Sequence, residues 1–218
     1  MVRVFLLPYI GSRTDCSPDI PMEKDRTKWN RKFSERLGEL NEPEPFVVQS
    51  VGQLLPGSVL DLASGDGRNA VHLAASGFSV SAVDISDVAL KRLAQFAKAQ
   101  QLSIQTRQMD LDDIGQLDAL GSFDNLLICH YKPAPDLLNR FPLLVRLGGR
   151  VILCVFNLRQ HQEHGFSLRY CAHDEEYLNA LPGFEVVQYE KMALDNTYLD
   201  GYLFRKKQPI AKPSPVLE

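Results

Sequence analysis

Residues 59–69 read Val59-Leu60-Asp61-Leu62-Ala63-Ser64-Gly65-Asp66-Gly67-Arg68-Asn69, and this order decides the fold. An apolar strand from Gly57 to Leu62 ends beside a carboxylate. A glycine-rich turn follows, and residues 68–76 then place Ala70, Val71, Leu73 and Ala74 at helical spacing. Gly77 stands where a helix C-terminus favours glycine. Gly65 and Gly67 allow unusual dihedrals and a close approach of backbone to a ligand. The free amides that open the helix favour an anionic group. Asp61 ends a buried strand, where a charge without a partner is costly. A cationic ligand group would supply that partner, and an amino-acid ammonium fits.

Outward from this unit the alternation continues. Val80 to Ile85 reads as a strand, and Ser86 can cap a helix from Asp87 to Gln100. Ser103 to Met109 and Phe123 to Cys129 read as strands. The spacing predicts a helix over 135–147, then a turn at Gly148-Gly149 into a strand from Arg150 to Phe156. A helix is expected over 173–181. Two strands follow, 184–190 and 197–204, whose short connection makes them an antiparallel pair. Upstream, residues 24–40 form an amphipathic helix with Trp29, Phe33, Leu37 and Leu40 on one stripe, and a short helix covers 45–54. Strands alternating with helices argue for an α/β, doubly wound, mostly parallel sheet with a C-terminal antiparallel hairpin. Ligands bind such sheets at the carboxyl ends of the strands, near the switch in strand order.

Two further acids stand at strand ends. Asp84, 19 residues after Gly65, can accept hydrogen bonds from both hydroxyls of a ribose. Asp110 can accept from an adenine amino group, with Ile85 and Leu111 packing on the ring faces. The turn from Gly65 to Ala70 also fits the dinucleotide pattern G-x-G-x-x-A, so an NAD-binding oxidoreductase is the rival enzyme. Asp61 counts against it, because dinucleotide-binding strands carry apolar residues there.

Asp61-Leu62-Ala63-Ser64-Gly65-Asp66-Gly67 resembles motif I of class I S-adenosylmethionine-dependent methyltransferases. Asp84 matches their ribose-binding acid and Asp110-Leu111 their adenine-site pair. Phe123-Asp124-Asn125-Leu126-Leu127-Ile128 resembles their fourth-strand motif, and Leu147-Gly148-Gly149-Arg150-Val151 their turn into strand five. The resemblance covers residues 26–206. Within that class the chain is most similar to the tellurite-resistance and thiopurine methyltransferase group. Lys28-Trp29-Asn30-Arg31-Lys32-Phe33 resembles the tryptophan-containing segment that folds over the cofactor in those enzymes. Residues 165–170 and 186–190 resemble their C-terminal third.

The resemblance implies a Rossmann-like, seven-stranded sheet and S-adenosyl-L-methionine as cofactor, with S-adenosyl-L-homocysteine as product. It implies a cofactor site built from Trp29, Asp61, Ala63, Gly65, Gly67, Arg68 and Asn69. Asp84, Ile85, Asp110, Leu111 and Cys129 complete it. The loop Cys129-His130-Tyr131-Lys132-Pro133 follows strand four and faces the sulfonium in this fold. His130 and Tyr131 are therefore the candidates to meet the methyl acceptor, although a histidine there is equally explained as a structural imidazole. Arg159 or Arg169 is the candidate partner for an anionic acceptor. The acceptor is read as a small molecule, with a thiol or chalcogen nucleophile as one option. A binding protein that holds the cofactor without turnover is the non-enzymatic alternative.

The 218 residues are 44% hydrophobic and 23% charged, the composition of one globular domain. The net charge of −3 comes without a basic stripe, which argues against nucleic acid as a partner. No apolar run reaches the roughly 18 residues that a membrane span needs. The four cysteines, Cys16, Cys129, Cys154 and Cys171, show no metal-ligand spacing, so no metal is expected and the chain reads as reduced and cytoplasmic. Cys171 lies in a polar loop and is a candidate reactive thiol. A monomer or homodimer is expected. Residues 1–22 read as a flexible extension, with Met22 a candidate natural start, residues 23–206 as the domain, and residues 207–218 as a disordered tail.

Overall fold

The computed structural model describes residues 20–36, 38–194 and 196–207. Most of the expected extension, and the expected tail from residue 208, lie outside the described residues. The chain runs α1 (Ile20–Ser34), α2 (Pro45–Ser50), β1 (Ser58–Leu62), α3 (Arg68–Ala75), β2 (Ser79–Asp84), α4 (Asp87–Ala99) and β3 (Ile104–Gln108). It continues through α5 (Ile114–Leu117), β4 (Phe123–Cys129), α6 (Pro135–Leu138), α7 (Phe141–Leu144) and β5 (Val145–Asn157). Then come α8 (Leu158–His164), β6 (Cys171–Ala172), β7 (Phe184–Leu194) and β8 (Thr197–Lys206).

The sheet order is β3-β2-β1-β4-β5-β8-β7, with the two-residue β6 added beside β5. Strands β1 to β5 are parallel, and β8 pairs antiparallel with both β5 and β7. The mostly parallel seven-stranded sheet with its C-terminal hairpin is therefore present, and β6 is an eighth, minimal strand. The chain leaves β1 toward β2 on one side and later returns to β4 on the other. That reversal opens a crevice above the carboxyl ends of β1 and β4.

Alternation along the strands sends side chains to two cores, one on each face. Leu60, Leu62, Val83, Leu126, Ile128, Val151 and Leu153 pack on one face with Tyr177, Tyr202 and Phe204. Val59, Ala82, Leu127 and Ile152 pack on the other against Phe46, Val71, Leu73 and Leu93 from the helices. Ser86 caps α4 as expected, its Oγ accepting from Ala89 N at 3.1 Å.

Three expectations are corrected. The first helix begins at Ile20 and stops at Ser34, short of Leu40, and Gly38 beyond it takes φ +89°. The helix expected over 135–147 divides into α6 and α7, and β5 begins already at Val145, which pairs with Phe123. Gly149 thus lies inside a strand, where a Cβ would strike the Asp124 carbonyl and the Val145 side chain. Residues 173–181 form turns instead of a helix. Glu175 adopts φ +58°, and Glu176 accepts from its own turn at His173 N (2.7 Å) and from Lys132 (3.0 Å). The bond from Lys132, 44 residues away, draws Glu176 into a tertiary contact that helical periodicity does not register. Among the described residues, no helix is long and apolar enough to cross a membrane.

Candidate cofactor and acceptor site

The site is built on the turn between β1 and α3. Ala63 takes φ +54°, a left-handed conformation uncommon outside glycine, and Gly65 and Gly67 follow at +58° and +90°. The turn folds back onto β2, with Ser64 N donating to Val83 O at 3.0 Å and Gly65 N to Asp84 Oδ2 at 2.8 Å. The other Asp84 oxygen accepts from Ser86 N at 2.8 Å, so one carboxylate ties the glycine turn to the start of α4. Burial pushes the Asp84 carboxyl up, and the amides of Ser86 and Gly65 pull it back. Asp66, between the two glycines, is buried and clasped by Arg36 (2.9 Å) and Arg92 (3.4 Å). The sequence reading gave Asp66 no partner, since both arginines come from other elements.

Asp61 stands at the end of β1 with 1% of its surface exposed. Among the described residues its Oδ2 has no hydrogen-bond partner, and neither does Ser64 Oγ in the adjoining turn. Desolvation, reinforced by the charge of Asp84, raises Asp61 to about 8. A buried carboxylate with an orphaned oxygen, beside a turn with unpaired polar groups, fits the ammonium of an amino-acid moiety. S-adenosylmethionine carries such an ammonium, and the residues present fit it. Its ribose hydroxyls would meet Asp84, and its adenine Asp110. Asp110 is half-buried with its carboxyl raised by desolvation, and its Oδ1 accepts from Asp112 N at 2.9 Å. Ile85 follows Asp84 at the end of β2, its carbonyl accepting from the Gln108 side chain at 3.0 Å. Leu111 is buried in the core beside Met109 and Leu117.

Helix α1 lies across this turn. Asn30 donates to Asp87 Oδ1 (2.8 Å) and accepts from Ser86 Oγ (2.6 Å), which fixes α1 to the start of α4. Phe33 sits against Gly65, where a Cβ would come within 3.1 Å of the Phe33 ring. Trp29 stacks toward Phe33 at 6.1 Å and is flanked by the ammonium groups of Lys28 and Lys32. Lys28 also reaches Tyr170 Oη at 2.9 Å, joining α1 to the segment after α8.

On the acceptor side, Cys129 ends β4 opposite Cys154, and burial keeps its thiol protonated. His130 follows with φ +58°, held there by its amide donating to Cys154 O at 2.8 Å. Its ring begins an aromatic row. Phe156 lies 4.7 Å away, Phe166 is 4.6 Å beyond Phe156, and Tyr170 is 5.9 Å beyond Phe166. Only part of this row was legible in the sequence, because Phe156 and Phe166 meet through the fold. Tyr131 packs against the core, its hydroxyl 3.5 Å from Asp112. Burial and the charges of Asp112 and Asp110 drive its pKa further above the ordinary phenol value, which makes Tyr131 a poor proton donor or acceptor for catalysis. Arg169 is exposed, 3.8 Å from Asp25 and over the Tyr170 ring, so it stands at the rim. Burial raises the Cys171 thiol as well, the opposite of what a reactive thiolate needs.

Arg68 and Asn69 both reach Glu44, and the charge of Arg68 also works against the raised Asp61 carboxyl. Asn69 Oδ1 accepts from Glu44 N at 2.8 Å. Arg68 Nη2 donates to Glu44 Oε2 at 2.9 Å and lies 3.0 Å from His130 Nε2. Their side chains anchor the entry to α2, and the notable residue there is the buried Glu44.

The family model described as tellurite resistance protein TehB matches residues 29–197. The putative methyltransferase YqeM of Bacillus subtilis is 32% identical over 96 residues, which is 42% of this chain. The match spans only 38% of the length of that relative. Among solved structures, a protein from work on the conversion of a disulfide bond into a thioacetal group during echinomycin biosynthesis gives a TM-score of 0.69 at 17% identity, over 85% of this chain and 91% of that one. Magnesium protoporphyrin IX methyltransferase from Synechocystis, solved with S-adenosylmethionine bound, gives 0.67 at 18% identity, over 89% and 100%. TehB from Haemophilus influenzae gives 0.63 at 17% identity, over 82% and 67%. At these identities the structural likenesses carry the fold.

Proposed function

The chain belongs to the tellurite resistance protein TehB family of S-adenosylmethionine-dependent methyltransferases, and we propose that it transfers the methyl group of S-adenosylmethionine to a small acceptor with a thiol or chalcogen nucleophile. The observation that carries this reading is Asp61: a buried carboxylate with an orphaned oxygen at the topological switch, as an amino-acid ammonium requires. The bound cofactor supplies an electrophilic methyl group. Asp61 would hold its ammonium, Asp84 its ribose and Asp110 its adenine amino group.

A soft nucleophile supports the small-acceptor reading. It needs alignment more than base catalysis, and the aromatic row from His130 to Tyr170 offers an apolar wall with one polar ring at its inner end. Lys28, Lys32 and Arg169 give the rim a cationic character suited to an anionic acceptor.

The test is calorimetric titration with S-adenosylmethionine and, separately, NAD. It is followed by incubation with methyl-labelled cofactor and a panel of small thiols, selenite, tellurite and hydroxyl acceptors. Binding of the sulfonium cofactor and label transfer to a thiol or chalcogen acceptor are expected. Binding of NAD instead, or label appearing only on protein or nucleic acid, would overturn the reading.

A further inference from the structure

Glu44 is 3% exposed, yet it lies on no strand end and in none of the motifs that mark the cofactor site. It precedes α2, and its backbone is pinned at both sides. Its amide donates to Asn69 Oδ1 at 2.8 Å, and its carbonyl accepts from Val47 N at 2.9 Å. Its Oε2 receives His130 Nε2 at 2.7 Å and Arg68 Nη2 at 2.9 Å. Burial opposes the charge on Glu44, while the hydrogen bond from His130 and the charge and hydrogen bond of Arg68 hold its carboxyl below the ordinary value, so the group is ionised.

The three polar atoms form a tight triangle, since Nη2 of Arg68 also lies 3.0 Å from Nε2 of His130. The tautomer of His130 follows from the chemistry of these contacts. An ionised carboxylate is acceptor-only. A separation of 2.7 Å between it and a bare ring nitrogen would set two lone pairs against each other, so Nε2 must carry the hydrogen. Arg68 does not need Nε2 as an acceptor. It already donates to the same carboxylate and to the Glu42 carbonyl at 3.3 Å. With Nε2 protonated, the neutral ring has its lone pair on Nδ1, and Nδ1 has no hydrogen-bond partner among the described residues.

We propose that Glu44 is a positioning residue that fixes His130 in the Nε2–H tautomer, leaving Nδ1 as a proton acceptor for an acceptor molecule seated against the aromatic row. The left-handed backbone of His130 and its ring contact with Phe156 hold the imidazole at the end of β4. Strained non-glycine residues of this kind concentrate where geometry serves function. The step assigned to Nδ1 is a proton transfer. The S–H or O–H bond of the acceptor breaks, its electron pair stays on sulfur or oxygen, and the proton ends on Nδ1. The imidazolium so formed is stabilised by the adjacent Glu44 carboxylate. This deepens the proposed function by extending the acceptors to protonated thiols and hydroxyl groups, and it rests on that reading for its substrate but not for its geometry.

The experiment is nitrogen-15 NMR of the histidine rings in the cofactor-free protein at a pH where the imidazoles are neutral. His130 is assigned by its loss in His130→Gln. Wild type is expected to show Nε2 protonated and Nδ1 bare. In Glu44→Met, which leaves no acceptor at that place, both resonances should move away from the Nε2–H pattern, and Glu44→Asp should keep part of the bias. A wild-type His130 protonated at Nδ1 overturns the proposal without any variant, and so does a tautomer unchanged in a folded Glu44→Met. Titration of wild type with S-adenosylmethionine separates the two readings. No binding there, with the Nε2–H tautomer present, would sink the methyl-transfer reading and leave the Glu44–His130 assignment standing.

Discussion

The carboxylate of Asp84 reaches back across 19 residues to accept the amide of Gly65 at 2.8 Å. A residue expected to hold a ribose thus also holds the turn that shapes the site, because each carboxylate oxygen can accept more than one hydrogen bond. Asp84→Ala should therefore fail twice. Hydrogen bonds to charged groups contribute about 1.5–3 kcal/mol each, and with two lost and a buried charge relieved, a net loss of about 2 kcal/mol in urea unfolding is expected. Calorimetry should show S-adenosylmethionine binding weakened by about tenfold or more, equivalent to at least about 1.4 kcal/mol. Full affinity in Asp84→Ala would remove this residue from the site.

Asp61 gives a pH signature with a definite sign. Its folded pKa of about 8 lies above its value in an unfolded chain. Between the two values the native state holds a proton that the unfolded state has released. The group therefore erodes stability as pH rises from about 4 toward 8. Asp61→Asn should stabilise the cofactor-free protein at pH 8, with the gain vanishing near pH 4, as read by denaturation at a series of pH values. Ionising Asp61 against a cofactor ammonium requires loss of that proton. Binding at pH 7 should then release a proton, detectable as a dependence of the calorimetric heat on the ionisation enthalpy of the buffer. Asp61→Asn should abolish that dependence.

Gly67 is the least replaceable position in the turn. It caps α3 at φ +90°, and a Cβ would run into the Leu93 side chain. The left-handed conformation costs a non-glycine residue about 1–2 kcal/mol, and overpacking a core adds about 1–3 kcal/mol. Gly67→Ala should lower the thermal midpoint by well over 5 °C, or leave no folded protein. Gly77→Ala is the control for conformation alone, because φ is +92° there but no atom of the described residues lies within 4 Å of the added Cβ.

The bridge from Lys28 to Tyr170 should control access more than stability. It is exposed, and exposed interactions add little to folding. Tyr170→Phe keeps the ring and removes the hydroxyl. Global unfolding should shift by less than about 0.5 kcal/mol, while deuterium uptake in residues 25–34 rises and dissociation of S-adenosylmethionine accelerates. Unchanged exchange in α1 would show that the Lys28–Tyr170 bridge does not secure the helix.

The glycine turn, Asp61 and Asp84 were legible because local rules place them: a strand end, left-handed backbone and a helix start occupy consecutive residues. The mostly parallel sheet with its C-terminal antiparallel pair followed from strands alternating with helices, while the order of the strands came only from the fold. Glu44 was not legible. It reads as an ordinary acid before a short helix, and its partners Arg68 and His130 lie 24 and 86 residues away. Asp66 was missed for the same reason, its clasp being assembled from α4 and the segment after α1. Arg68 and Asn69 sit within the motif, yet their side chains bond to Glu44, a partner 24 or 25 residues earlier that the motif does not reveal. The helix expected over 173–181 gave way to side-chain bonds that periodicity does not register.

The strand order carries a consequence for biosynthesis. β8 follows β7 in the chain but lies inside it in the sheet, pairing with β5 along seven registered residues from Phe156 to Arg150. As the polypeptide emerges from the ribosome, β1 to β5 can associate early. The far edge of β5, with Val151, Leu153 and Val155 fully buried in the finished protein, stays open until Thr197–Lys206 arrives. An exposed apolar edge invites pairing with another chain. A premature stop between β7 and β8 would therefore yield an aggregating nascent product even though every residue of the cofactor turn had already been translated.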